Sequence, residues 1–273
     1  NSLPVRYIFM KKILIANRGE IAIRIARTCN DLGIKTVGIF SEDDINSLHL
    51  SKMDESFMID EKGASAYLDI KKVIAVAKRE KVDGIHPGYG FLSENPAFAK
   101  AAKQARIKFI GPSEKCLTIF GDKSEAKKLA LKLDIPVVRG TQGKTSLKQA
   151  SSFFKDLKKN SSIVIKAIAG GGGRGMRVVN SEADLKDAMS RASSEAKSAF
   201  DSSDLYIEEY LKNYRHVEIQ VLGDGKGQAT HMHERECSTQ RRHQKIIEIA
   251  PAPGIKKELK EKMFDASVEL IKA

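Results

Sequence analysis

The sequence predicts an α/β protein: a parallel-sheet N-terminal domain, then a smaller α+β unit, then the start of a third unit. Three observations carry this. Between residues 12 and 40 a strand, a glycine turn, a helix and a second strand follow within about 30 residues, a βαβ unit with a right-handed crossover and parallel strands. After Pro136 the pattern changes, and Val217-Glu218-Ile219-Gln220-Val221 alternates with the period of two that marks a half-buried strand. The chain has 273 residues, 41% hydrophobic and 30% charged, enough for one sizeable core or two to three small ones and incompatible with global disorder.

Each element has its own signal. Residues 13–16 are a short apolar strand, Asn17-Arg18-Gly19-Glu20 a turn, and 21–32 a helix with apolar Ile21, Ile25 and Leu32, stopped by Gly33. A strand at 37–40, a helix at 70–80 and a strand at 84–86 ending in Pro87-Gly88 follow. A helix at 95–105 and Phe109-Ile110, ending in Gly111-Pro112, complete an α/β domain over 11–112. Its topology is Rossmann-like but has no GxGxxG, which argues against a dinucleotide. Residues 113–136 read as a lysine-rich helical linker containing Gly121-Asp122-Lys123.

The second unit, 137–211, comprises Val137-Val138, a helix at 147–157, strands at 162–167 and 176–179 around a glycine-rich loop, a helix at 182–200 and a strand at 205–210. The third, 212–273, opens with a hairpin that turns through Gly223-Asp224-Gly225 and returns at 229–233. Residues 256–273 form a helix with apolar Leu259, Met263, Ala266, Leu270 and Ile271, a face to bury but no terminator. The chain is therefore expected to be truncated inside this third domain.

Lysine and arginine number 47 against 35 acidic residues, a net charge of +12. That surplus reads either as solvated faces such as Lys71-Lys72, Lys127-Lys128 and Lys158-Lys159, or as a field for polyanions, nucleic acid or nucleotide phosphates. Cys29, Cys116 and Cys237 are odd in number and far apart, so neither a disulfide framework nor a paired-cysteine zinc site is expected; the reading is a reducing, cytoplasmic protein. No apolar run reaches the roughly 18 residues of a membrane helix. Residues 1–10 are set apart as a leader outside the domains, with Met10 as the natural start.

Three stretches carry chemistry. The strand ending Ile165-Lys166-Ala167 leads into Gly170-Gly171-Gly172-Gly173-Arg174-Gly175, where the lack of Cβ atoms frees backbone N–H groups to face an anion. It is not a Walker loop, because no GK[ST] follows and the next element is a strand. The run from His231 to Lys245 mixes His, Glu, Cys, Gln and Arg; its spacing fits no structural zinc site, and no aromatic interleaves it for base stacking. It suits a nucleotide with a small anion. His86 to Asn95 is a glycine-bracketed loop at the carboxyl end of a parallel strand, either a ligand loop or a rigid turn with Ser93 as N-cap.

In these stretches the sequence resembles the biotin carboxylase family, ATP-grasp enzymes that form the first half of acetyl-CoA, propionyl-CoA, methylcrotonyl-CoA and pyruvate carboxylases. The segments are KKILIANRGEIAIRIARTC (11–29), HPGYGFLSEN (86–95), FIGPS (109–113), GDKSEA (121–126), IKAIAGGGGRGMRVV (165–179), RHVEIQVLGDGKG (215–227) and ERECSTQRRHQKIIEIAPAPG (234–254). The resemblance implies an N-terminal α/β domain, an ATP-grasp lid over 137–211 and the start of the C-terminal ATP-grasp domain. It implies that Lys123 and Lys166 contact ATP phosphates and that Gly171, Gly172 and Gly173 belong to the lid loop. Glu208 and Leu211, with the backbone of Glu209, match the adenine-binding strand and hinge. His216, Gln240 and His243 match residues holding ribose and phosphates, and Lys245 matches the catalytic lysine that holds bicarbonate.

The implied reaction uses ATP, Mg2+ and bicarbonate to carboxylate biotin on a carrier, through carboxyphosphate. Implied partners are a biotin carboxyl carrier, a carboxyltransferase and, at full length, a second copy; neither nucleic acid nor membrane is expected. Ala169 stands where many members have one more glycine. The family's Mg2+-binding glutamates, its enolate-stabilising arginine and its bicarbonate-deprotonating glutamate are expected beyond Ala273, so the chain is expected not to turn over alone. The alternatives are another ATP-grasp ligase of the carbamoyl-phosphate synthetase kind, against which the 240–245 run argues, a basic nucleic-acid-binding protein, and a non-catalytic interaction fragment.

Overall fold

The computed structural model describes residues 10–158, 161–169, 176–241 and 244–273. They divide into two compact units between Gly121 and Asp122. The first is built on β1 (Lys12–Ile15), α1 (Gly19–Asp31), β2 (Lys35–Phe40), β3 (Glu55–Met58), α2 (Ala64–Leu68), α3 (Ile70–Arg79), β4 (Gly84–His86), α4 (Pro96–Gln104), β5 (Lys108–Phe109) and α5 (Glu114–Gly121). Its strands form one parallel sheet in the order β3-β2-β1-β4-β5. Leu14 pairs with Val37 on one side and Ile85 on the other, and all three are fully buried because helices cover both faces. The strand β3 was not anticipated. It lies at the sheet edge, only half-buried, and Glu55-Ser56 removes the apolar run that would have marked it.

The loop after β4 is a braced turn. The buried Asn17 amide donates to the carbonyls of Pro87 at 2.7 Å and Tyr89 at 2.8 Å. Gly88 sits between them at φ +65°, and a Cβ there would come within 2.6 Å of the Asn17 amide nitrogen. The N-cap of α4 is Asn95, not Ser93: its carboxamide oxygen accepts from Ala97 N at 2.9 Å and Phe98 N at 3.2 Å. Pro96 decides this, since its fixed φ and missing N–H suit the first helical position.

The second unit contains α6 (Lys123–Lys132), α7 (Leu147–Lys155), β6 (Ser162–Ala167), β7 (Arg177–Val179), α8 (Leu185–Phe200), β8 (Leu205–Tyr210), β9 (Val217–Gly223), β10 (Ala229–Arg241), β11 (Gln244–Ile249) and α9 (Lys257–Lys272). The stretch read as one linker is thus two helices, α5 and α6, with Asp122 capping the second through Ser124 N at 2.7 Å and Glu125 N at 3.2 Å. The strands β7-β6-β8 form an antiparallel sheet. One face, with Ile163, Ile165, Leu205 and Ile207, packs on Leu185, Ala192 and Ala196 of α8 and Ala150 of α7. The period of two therefore turns Lys166 and Glu208 to the opposite face.

Val137-Val138 forms no strand; the chain instead meets β8 slightly later, through Glu209 N to Arg139 O and Thr141 N to Ile207 O, both 2.9 Å. The strands β11-β10-β9 make a second antiparallel sheet, so the expected hairpin gains a third strand whose polar Gln244-Lys245 start concealed it. The helix α9 lies against β9 and β10, its Phe264 ring stacked on His231 at 3.9 Å. No described helix is long and apolar enough to cross a membrane.

Candidate nucleotide and anion site

The second unit carries two polar clusters, one on each sheet. On the first sheet Lys166 pairs across the ladder with Tyr206, which makes Glu208 its diagonal neighbour, within reach of a long side chain. Lys166 Nζ donates to Glu208 Oε2 at 2.6 Å, and Lys127 Nζ, from α6, donates to Oε1 at 3.1 Å. Burial alone would push the Glu208 carboxyl up, but Lys166 and Lys127 outweigh it and hold the group below the ordinary glutamate value. Lys123 lies one helical turn before Lys127. Burial and then the Lys166 charge depress its ammonium below the ordinary lysine value, partly offset by Glu208. Three ammoniums thus gather around one half-buried carboxylate.

On the second sheet Glu218 of β9 holds three donors. Lys245 of β11 donates to its Oε1, His216 Nε2 lies 3.2 Å from the same oxygen, and Arg235 of β10 reaches Oε2 at 3.1 Å. These contacts draw the Glu218 carboxyl below its ordinary value despite burial. The Gln240 amide donates to Cys237 O and to His216 Nδ1, both at 2.9 Å, which places the imidazole proton on Nε2, facing Glu218. Arg235 also donates to Glu248 at 2.7 Å, so the network spans all three strands. Burial, reinforced by Glu218 and Glu248, pushes the Cys237 thiol up, making it a poor nucleophile.

The structure brings Lys123, Lys166 and Glu208 into one cluster and His216, Gln240 and Lys245 into the other. Glu209 follows Glu208 in β8, and its N–H is taken by Arg139 O. Leu211 lies just past the strand and is exposed. Gly171, Gly172, Gly173 and His243 lie outside the described residues. Sequence reasoning missed Lys127, Glu218 and Arg235. The first follows Lys123 at i+4 on one helix, and Glu218 follows His216 by two residues, onto the same side of an extended strand; both spacings were readable. Arg235 carried no such signal, because it meets Glu218 only through the β9–β10 register.

Residues 9–117 match the family described as biotin carboxylase, N-terminal domain, and residues 122–273 the carbamoyl-phosphate synthase L chain, ATP binding domain. Pyruvate carboxylase of Bacillus subtilis (strain 168) is 48% identical over 265 residues, 96% of this chain and 23% of that protein. The mitochondrial pyruvate carboxylase of Homo sapiens is 46% identical over 275 residues, 100% of this chain and 23% of that protein. The chain therefore spans under a quarter of these relatives' length. The structure of a biotin carboxylase–β,γ-ATP complex from Campylobacter jejuni superposes with a TM-score of 0.92 at 41% identity, covering 97% of this chain and 59% of that one. The biotin carboxylase domain dimer of Hydrogenobacter thermophilus 2-oxoglutarate carboxylase, in complex with MgADP, ADP and bicarbonate, gives 0.91 at 39% identity, covering 97% and 58%. Fold, site and matches define an ATP-grasp protein with a parallel-sheet domain ahead of its ATP-binding part. Within that class the chain belongs to the biotin carboxylase family.

Proposed function

We propose that this chain carries the ATP and bicarbonate residues of a biotin carboxylase. Bicarbonate attacks the γ-phosphate of ATP, giving carboxyphosphate and ADP; carboxyphosphate splits to CO2 and phosphate; CO2 bonds to the biotin ureido nitrogen as that nitrogen passes its proton to the released phosphate. The carrying observation is the gathering of Lys123, Lys127 and Lys166 around Glu208, since clustered ammoniums suit a polyphosphate. In this reading Lys123 and Lys166 meet the phosphates, and Gly171, Gly172 and Gly173 close over them. Glu208, Leu211 and the backbone of Glu209 hold the adenine, while His216, Gln240 and His243 hold ribose and phosphates. Lys245 holds bicarbonate, its ammonium aimed by Glu218.

Such chemistry uses Mg2+ to neutralise developing charge. Among the described residues no group of three or more His, Cys, Asp or Glu is placed to hold a metal ion. The proposed partners are a biotin carrier, a carboxyltransferase and, as in the Hydrogenobacter domain dimer, a second copy. The proposed location is the cytoplasm, consistent with three unpaired cysteines. The match of 9–117 to a biotin carboxylase domain favours biotin over carbamoyl phosphate chemistry.

Equilibrium dialysis tests the binding: ATP should bind the chain, and Lys166→Ala should weaken it at least tenfold, as expected for losing a charged contact of about 1.5–3 kcal/mol. In a complete carboxylase carrying this segment, Lys245→Ala should abolish biotin-dependent ADP release. Unchanged release would refute its assignment.

A further inference from the structure

Glu208 divides its two carboxylate oxygens between two lysines of unequal freedom. Lys127 and Glu208 have side chains only 15% and 14% exposed, whereas Lys166 is 28% exposed. The segment through Gly140 closes over the inner pair, fastened to β8 by Thr141 N to Ile207 O and Glu209 N to Arg139 O. A Cβ on Gly140 would lie 2.9 Å from Lys127 Nζ and 2.9 Å from Glu208 Cγ, so the backbone there is packed directly on the pair. Lys127 is the walled-in partner. Lys166 is the one that can leave.

We propose that Lys127 is a positioning residue for phosphate binding: it retains Glu208 when Lys166 is drawn from that carboxylate to a nucleotide phosphate. The inference rests on the ATP-site reading above and deepens it. Stripping a half-buried carboxylate of its last hydrogen-bonded partner is strongly unfavourable, more so than the pair itself is favourable. With Lys127 on Oε1, the departure of Lys166 leaves Glu208 still neutralised and hydrogen-bonded. Without Lys127, phosphate and Glu208 compete for Lys166, the ammonium still hydrogen-bonded to the carboxylate. The role therefore concerns phosphate-bearing ligands, not the nucleoside.

The test compares ATP and adenosine binding to the full chain by calorimetry, for wild type, Lys127→Met, Lys127→Arg, Glu208→Gln and the Lys127→Met/Glu208→Gln double variant. Lys127→Met should weaken ATP at least tenfold, as losing one partner of a partly buried charge pair does, and leave adenosine within about twofold. Lys127→Arg should restore most of the ATP affinity. The double variant should restore the ratio of ATP to adenosine affinity, because a neutral amide no longer competes for Lys166. Because Glu208 also meets the adenine in this reading, its variants are read as the ratio of ATP to adenosine affinity: Glu208→Gln should hold that ratio at or above the wild-type value, an arm that stands even if Lys127→Met folds poorly. Unchanged ATP affinity in Lys127→Met, an equal loss for adenosine, or a lower ATP-to-adenosine ratio in Glu208→Gln would overturn the inference while leaving the ATP site intact. A wild-type chain that does not bind ATP would overturn the site reading itself.

Discussion

At the scale of single residues, the charge of Lys123 is set by its surroundings rather than by its chemistry. Burial and the neighbouring Lys166 ammonium lower its pKa, whereas Lys128, one position beyond Lys127 on the same helix, is raised by its exposed partner Glu125. In a 13C-dimethyl-lysine NMR titration Lys123 should therefore deprotonate at lower pH than Lys128. Added ATP should move it upward, because an anion favours the charged form. Coincident titration of the two lysines would show that the cluster does not form in solution. The sequence showed Lys166 and Lys245 through the motifs around them. It did not show Lys127 or Glu218 as partners, because a side chain's counter-ion is chosen by cross-strand and helix–sheet packing.

At the scale of elements, the parallel strands and amphipathic helices were legible where a period or a punctuating glycine marked them, as in β1, α1, β4 and α8. Two strands were not. Both β3 and β11 lie at sheet edges, where half of the side chains can be polar and the apolar signal fades. The 86–95 loop shows a different case, a chemistry-like motif whose backbone is braced from outside it. Asn17 stitches it to the end of β1 by two bonds, one of them buried. Asn17→Ala should destabilise the first unit by about 2–3 kcal/mol, since it leaves two carbonyls without donors. Urea unfolding followed in that unit checks this, and a change below about 0.5 kcal/mol would mean that the brace is not needed.

At the scale of the molecule, the +12 surplus acquires an address: Lys123, Lys127 and Lys166 stand around Glu208, and Lys245 on Glu218. Both carboxyls titrate below the ordinary glutamate value of 4.5 in the native state. Each therefore contributes stability that is fully present above that value and is lost as pH falls through its lower native pKa. Thermal melts from pH 7 down to 3 should show wild type losing stability in acid more steeply than Glu208→Gln/Glu218→Gln; parallel curves would contradict the ion pairing. By itself the sequence determined the order of α/β and antiparallel parts and the family, since these rest on local periodicity and contiguous motifs. Only the tertiary structure decided which carboxylate each cation answers to. A strand register and a helix docked on a sheet bring together residues as far apart as Lys127 and Glu208, and no local pattern in the chain encodes that distance.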